Sequence, residues 1–310
     1  MGEIIDLRSR IRVVPAAKEA DDFSFRQSAG RQRELPLKKK NGFFKGLVVI
    51  VSAVALTTAG IKASDSLFGS GQEGGEGSIC PVGMVFVSSP QGGFCIDKYE
   101  VSAGTGCAYG DPSNQGETLK NIENPDCQAV SQPDKLPWRN ISQNQAALAC
   151  AKAGKRLPSS EEWMRAVLGT PDKLAGWKEA DCQVQNNWPD QPGRGGSGKN
   201  CLSGSGAFDM IGNVWEWVDG SVVDGQFEGR QLPVEGYVKG YDSAGFPTET
   251  DAEMGDENYY HDYVWLKRSG TRGIARGGYW GNGAEAGQYS IYIVTEPSYA
   301  GIGVGFRCVK

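Results

Sequence analysis

Histidine is almost missing from this chain: His261 is the only one in 310 residues. A single imidazole excludes a metal centre built on several histidines and gives no spacing signal for a histidine-based triad. Cysteine is missing from the first 79 residues, and no C-x-x-C pair or Cys/His cluster occurs, which argues against a clustered zinc site. Basic charge is scarce beyond the N-terminal region. Residues 1–45 carry 11 Lys/Arg and 6 Asp/Glu; the remainder carries 21 and 31, a balance of −10. A surface of that sign does not suit a phosphate backbone, so no nucleic-acid partner is expected. No internal repeat is visible. Charge of either sign is absent from Gly46 to Ile61.

That uncharged run sits in "FFKGLVVIVSAVALTTAGIKAS" and has no polar face. Phe43, Phe44 and the snorkelling stems of Lys45 and Lys62 extend it toward the ~20 residues of a spanning helix. A cleaved signal peptide ending near Ala63 is the alternative, but the preceding 42 residues are far longer than an ordinary leader. Six Lys/Arg lie between Arg31 and Lys45, whereas only Lys62 follows before Lys98. The positive-inside rule therefore puts the N-terminus in the cytoplasm and the later residues outside. The expected order is a disordered cytoplasmic tail over 1–42, a transmembrane signal anchor over 43–63, a flexible Gly/Ser linker over 64–79 and a globular ectodomain over 80–310. Localisation in the cell membrane as a single-pass protein follows.

All eight cysteines fall in the last of these regions: Cys80, Cys95, Cys107, Cys127, Cys150, Cys182, Cys201 and Cys308. An even number confined to one region points to disulfides in an oxidising compartment. Nearness in sequence suggests Cys80–Cys95, Cys107–Cys127 and Cys182–Cys201. The stretches "GMVFVSS" and "FCIDKYEVS" read as strands. "NISQNQAALACAKAGKRLP" reads as a helix with Ser142 at its cap, Gln145 three residues on and Gly154 closing it. "PSSEEWMRAVLG" reads as a second helix opened by a Ser159/Glu162 capping box. Beyond Gly169 the chain is rich in Gly, Asn, Asp and Pro, so long irregular stretches between short strands are expected. The alternation in "QYSIYIV" puts Tyr289, Ile291 and Ile293 on one face and Tyr292 and Val294 on the other. "GIGVGFRCV" likewise separates Val304, Phe306 and Cys308 from Gly303, Gly305 and Arg307.

"DMIGNVWEWVDG" is the strongest local motif. Asp209 and Glu216, with the carbonyls of Gly212 and Val214 between them, offer hard oxygen ligands to a structural calcium ion. The same stretch also suits a turn hydrogen-bonded by Asn213 and Glu216, with Trp215 and Trp217 filling core. No other cofactor is expected.

Taken in order, "GMVFV…FCIDKYEVS", "PWRNISQNQAALACAKAGKRLPSSEEW", "GNVWEWV", "RGGYW" and "GFRC" resemble the formylglycine-generating-enzyme type of C-type lectin fold, over roughly Cys80 to Lys310. The resemblance implies a compact α+β domain, loop-rich and stapled by disulfides, with its N- and C-terminal strands close together. It also implies a Cys150–Cys308 disulfide, worth about 5 kcal/mol on the chain-entropy model for so long a loop. The family's enzymes bind copper through two cysteines that follow the Arg-Gly-Gly motif. The matching positions here are Asn282 and Gly287, neither of which has a thiol, so no copper oxidase chemistry is expected.

The final segment is also similar to the variable proteins diversified by retroelements, in which an error-prone reverse transcriptase changes template adenines. The variable region would be 276–308. Its frame is Gly277-Gly278, Trp280, Gly283, Ala286-Gly287, Pro297-Ser298 and Gly305-Phe306-Arg307-Cys308. The diversified positions implied are Tyr279, Gly281, Asn282, Glu285, Tyr292, Val294, Thr295, Tyr299, Gly301 and Gly303. Tyr, Gly, Val and Thr are what adenine errors in an Asn AAC codon yield; Glu285 departs from that pattern. Tyr and Gly intermixed in one patch also suit a binding surface, since Tyr gives amphipathic contact area at low entropy cost. The expected function is a surface receptor or adhesin. Tyr279, Tyr292 and Tyr299 would anchor an unidentified protein or cell-surface ligand, and Asn282, Glu285 and Thr295 would add polar contacts. A residual oxidase and a pilin-like surface subunit are the alternatives.

Overall fold

A computed structural model describes residues 79–90, 92–254 and 257–310. The expected tail 1–42, the anchor 43–63 and all but the last residue of the linker 64–79 lie outside the described residues. Among those described, no helix is long and apolar enough to cross a membrane. The strands are β1 (Met84–Val87), β2 (Phe94–Asp97), β3 (Val101–Ala103), β4 (Ala129–Ser131), β5 (Trp215–Val223), β6 (Gln226–Phe227) and β7 (Arg230–Gln231). They continue as β8 (Gly236–Tyr241), β9 (Pro247–Asp251), β10 (Tyr263–Leu266), β11 (Thr271–Arg276), β12 (Ile291–Ile293) and β13 (Val304–Phe306). The helices are α1 (Gln115–Glu123), α2 (Gln143–Lys152) and α3 (Ser160–Val167).

Both expected helices form with the expected caps. Ser142 accepts from the Gln145 amide and Ser159 from the Glu162 amide, each in a complete capping box. Gly154 follows α2 at φ +66°, where a side chain would strain the backbone. The stretch "FCIDKYEVS" forms two strands rather than one. Between β2 and β3 the chain turns so that the Glu100 carboxylate reaches inward to Asn213 Nδ2 at 2.6 Å. No helix or strand lies between α3 and β5, the long irregular stretch expected from its Gly and Asn content.

The main sheet runs β7-β6-β5-β11-β12-β10-β8-β9, with β13 added parallel to β5. Two-stranded sheets β1–β2 and β3–β4 stand apart from it. Each face of the main sheet carries its own core. On one, Val218, Val222, Val264, Ile274, Ile291 and Ile293 pack with Trp163, Ala166 and Val167 of α3. On the other, Trp215, Trp217, Ala275, Val304 and Phe306 pack with Ala146, Ala149 and Cys150 of α2. The cysteines pair as expected: Cys80–Cys95, Cys107–Cys127, Cys150–Cys308 and Cys182–Cys201. Val309 bridges both Ile96 and Arg156, so the first and last segments of the domain lie side by side. This is the α+β, loop-rich, disulfide-stapled architecture that the motifs imply.

The centre of the domain is ionic. Arg307 and Glu216 are 0% and 1% exposed, and the guanidinium grips the carboxylate through Nη2–Oε1 at 2.6 Å and Nε–Oε2 at 2.7 Å. Arg307 also donates to the carbonyls of Asp97 and Phe208, and Trp163 Nε1 donates to Glu216 Oε2 at 2.7 Å. One pair therefore ties β5, β13, the end of β2, α3 and the loop before β5. Removing one partner leaves an uncompensated buried charge. Arg307→Met is expected to cost about 3–5 kcal/mol in urea unfolding, and Glu216→Gln/Arg307→Met less than the single change. A loss below about 1 kcal/mol for the single variant would show that Glu216 needs no cation.

Candidate functional site

Two rigid frames bracket the final segment. At the first, the Arg276 guanidinium is sandwiched between Trp163 and Tyr241, 5.1 and 5.4 Å from the ring centres, and donates to the Tyr241 hydroxyl. Burial pushes that hydroxyl up to about 12. Gly277 and Gly278 follow at φ +91° and +87°. A Cβ at 277 would lie 2.6 Å from the Met210 carbonyl oxygen, and one at 278 would overlap Ala286. Glycine is required at both, by backbone and by space. At the second frame, a Cβ at Gly305 would press on Val214 at 2.9 Å, Phe306 is fully buried, Arg307 holds Glu216 and Cys308 is bonded to Cys150.

Between the frames, β12 shows the expected alternation: Ile291 and Ile293 are buried and Tyr292 is half-exposed on the other face. There it packs on Trp215, ring centres 5.6 Å apart. Tyr279 and Tyr299 pack half-buried on the same core cluster, and Tyr279 also meets Trp280 edge-on. In both places the tyrosine folds back over a glycine two residues on. A Cβ at Gly281 would lie 2.8 Å from the Tyr279 hydroxyl, and one at Gly301 would lie 2.5 Å from that of Tyr299. The small residue makes room for the ring beside it. Glu285 is half-buried and accepts from the Tyr237 hydroxyl at 3.3 Å. Val294 and Thr295 are half-buried at the end of β12, where the Thr295 carbonyl accepts from the Gly273 amide.

Three positions differ from expectation. Asn282 is buried, and its Oδ1 accepts from the Tyr279 amide at 2.8 Å, so it shapes the loop rather than offering a polar contact. Gly301 and Gly303 are buried as well; their carbonyls accept from the Asn140 and Trp215 amides, which makes them part of the frame. The tyrosines themselves are anchored in core and only half-presented. Sequence reasoning also missed residues outside the segment. Tyr263 and Trp265 alternate with buried Val264 and Leu266 in β10, and Trp265 is in register with Tyr292. The pattern of "YVWL" held that signal.

The calcium reading does not fit the donor set. Both Glu216 oxygens are taken by Arg307 and Trp163, and the guanidinium stands beside the carboxylate where a cation would have to sit. Asp209 accepts from the Gly196 amide at 2.6 Å. Among the described residues no group of three or more His, Cys, Asp or Glu is placed to hold a metal ion. The motif is a turn and a core, with Asn213 bonded to Glu100 and Gly193, and with Trp215 and Trp217 buried.

The second of the two positions that match the family's copper-binding cysteines, Gly287, is closed. A side-chain carbon at Gly287 would overlap the Asp262 carboxylate and lie 2.5 Å from Asp172 Oδ2. Asp262 is buried, and Asp172 is half-buried beside it. Asp172 accepts from the Gln288 and Lys173 amides and Asp262 from the Tyr289 amide. Burial raises both, Asp172 to about 7, and the charge of Asp172 raises Asp262 further. A carboxyl raised in the folded state contributes stability that is complete below its unfolded value and is lost as pH rises through the folded one. The thermal midpoint should therefore fall between pH 5 and pH 8. Asp172→Asn should flatten that decline, melting about 5 °C above wild type at pH 8 and converging with it near pH 4. An unchanged slope would mean that the pair does not exchange protons on unfolding.

Residues 87–310 match the family model described as the sulfatase-modifying factor enzyme 1-like domain. The chain is similar to the formylglycine-generating enzyme of Bos taurus, 27% identical over 119 residues, which are 33% of this chain and 32% of that protein. It thus spans about a third of that relative's length. Among solved structures it is similar to the major tropism determinant I1 variant, with TM-score 0.40 and 16% identity over 75% of this chain and 53% of that one. It is also similar to Treponema denticola variable protein 1, with TM-score 0.34 and 15% identity over 74% of this chain and 92% of that one. With most of its length matched by the model, the chain belongs to the sulfatase-modifying factor enzyme 1-like family.

Proposed function

We propose that this chain is a non-catalytic ligand-binding protein, displayed at the cell surface by the 43–63 segment, whose 276–308 region is diversified by a retroelement. One observation carries the reading: the residues that hold the final segment are separate from those that it presents. Arg276, Gly277, Gly278, Phe306, Arg307 and Cys308 are all buried. Tyr279, Gly281, Glu285, Tyr292, Val294, Thr295 and Tyr299 retain exposure. Rigid support lowers the ordering cost of binding, and half-exposed tyrosines supply area with few rotors to freeze. The non-catalytic part has its own support. All eight cysteines are in disulfides, and position 287 has no room for a thiol. Without a thiolate the family's copper chemistry has no ligand here.

The coding DNA tests the diversification directly. A near-copy of the segment encoding 276–308, next to a reverse transcriptase gene and differing from it at adenines, is the expected finding. Its differences should fall in the codons of the presented residues and spare those of the frame. Absence of any such copy would remove the retroelement from the reading. The division between frame and presented residues has a separate test in denaturant melts. Gly278→Ala is expected to cost roughly 3 kcal/mol, through a left-handed backbone and overlap with Ala286. Gly281→Ala displaces only the far end of Tyr279 and should cost under about 0.5 kcal/mol. Equal losses would show that the segment has no tolerant half.

A further inference from the structure

The face beneath Tyr292 continues beyond the final segment. Tyr237 of β8 and Tyr263 of β10 are register partners with ring centres 5.0 Å apart, edge to face at 86°. Tyr263 and Trp265 lie 4.9 Å apart on the same strand, Trp265 meets Trp215 edge-on at 5.3 Å, and Trp215 leads to Tyr292. The opposite faces of these strands carry Val238, Val264, Leu266, Ile291 and Ile293 into the core. A solvated sheet face is normally polar. Here Tyr237, Tyr263, Trp265 and Tyr292 line it in one connected row, each half-exposed. Two carboxylates flank the row. Glu285 accepts from the Tyr237 hydroxyl at 3.3 Å and Glu235 from that of Tyr263 at 3.5 Å. Among the described residues neither carboxylate has a Lys or Arg within ion-pair distance. Glu285 and Glu235 also repel one another, and burial pushes Glu285 up.

We infer that the row Tyr237–Tyr263–Trp265–Tyr292, closed by Glu235 and Glu285, receives a lysine or arginine side chain of a protein partner. This rests on the ligand-binding reading and adds to it a scaffold-borne half of the site, three of whose four rings lie outside 276–308. The chemistry is complementary on both counts. A cation is attracted to the negative faces of tyrosine and tryptophan rings, and a side chain with an apolar stem covers them as it arrives. The two carboxylates, which have no cation among the described residues within ion-pair distance, then gain a counter-charge. An anionic or neutral ligand would leave that repulsion in place. Because Tyr237, Tyr263 and Trp265 are scaffold residues, the cation subsite would stay constant while the neighbouring positions select what surrounds it.

Panning the immobilised full chain with a library of linear hexapeptides tests this. The selected peptides should share a Lys or Arg at one position. Replacing that residue with norleucine or citrulline should weaken binding at least about tenfold, the scale of a partly desolvated cation–π contact. Trp265→Ala, and Glu235→Gln with Glu285→Gln as a variant that leaves the packing intact, should weaken the same peptides about five- to tenfold. The carboxylate variant should leave the affinity of the norleucine analogue unchanged, whereas Trp265→Ala should weaken it by less than it weakens the cationic peptide. Peptides without a shared cation that lose affinity on Tyr292→Ala would overturn the inference and leave the ligand-binding reading standing. Selection of no peptides at all would overturn both.

Discussion

The Glu216–Arg307 pair is the constraint on which the rest of the domain depends. Two charges with essentially no exposure cannot stand apart, because each unpaired ion would cost several kcal/mol. They therefore fix β13 against β5, and with it the end of the final segment. The pair's spare donors extend the constraint to β2 and to the loop before β5, and Trp163 extends it to α3. Asp97 carries it one step further. Its carboxylate accepts from the Cys308 amide at 2.9 Å and from Lys155 Nζ at 2.5 Å, beside the Cys150–Cys308 disulfide. Burial pushes Asp97 up even so.

From that fixed centre the final segment divides by face rather than by residue. Ile291 and Ile293 belong to the scaffold, and Tyr292 between them is turned the other way. The tyrosines at 279 and 299 rest over glycines 281 and 301, so each ring and its neighbouring glycine form one unit. A change at Gly281, which is exposed, re-aims the Tyr279 ring, whereas Gly301 is buried and belongs to the frame. Variation in such a segment alters the direction of contact groups as well as their identity.

Much of this was legible in the sequence. The caps of α2 and α3 and the alternation of β12 follow from local rules of hydrogen bonding and period, whereas the helix-to-terminus disulfide and the double glycine came with the family motifs, and β13 is buried on both faces rather than alternating. What was not legible was polar or long-range. α1 is a polar helix whose buried residues are Thr118 and Asn121, so hydrophobic period gives it no signature. It is held instead by side-chain bonds such as Asn121 to the Tyr109 backbone. Asp209 and Glu216 look like metal ligands until Arg307, 91 residues after Glu216, is placed between the charges. Asn282 looks presented because asparagine usually is, and only the Tyr279 amide turns it inward. The aromatic row was missed because its rings come from separate strands, β8, β10 and β12, joined only by register.

The order in which the chain is made has a bearing on β13. A ribosome delivers residues in sequence, and Glu216 emerges long before Arg307. Until residue 308 has appeared, β5 lacks its parallel neighbour, Cys150 lacks its partner across 158 positions, and the central acid has no counter-ion. The contacts at the centre of the domain therefore cannot be completed until its last residues have been made. A chain built in this way depends on its last residues to complete its centre.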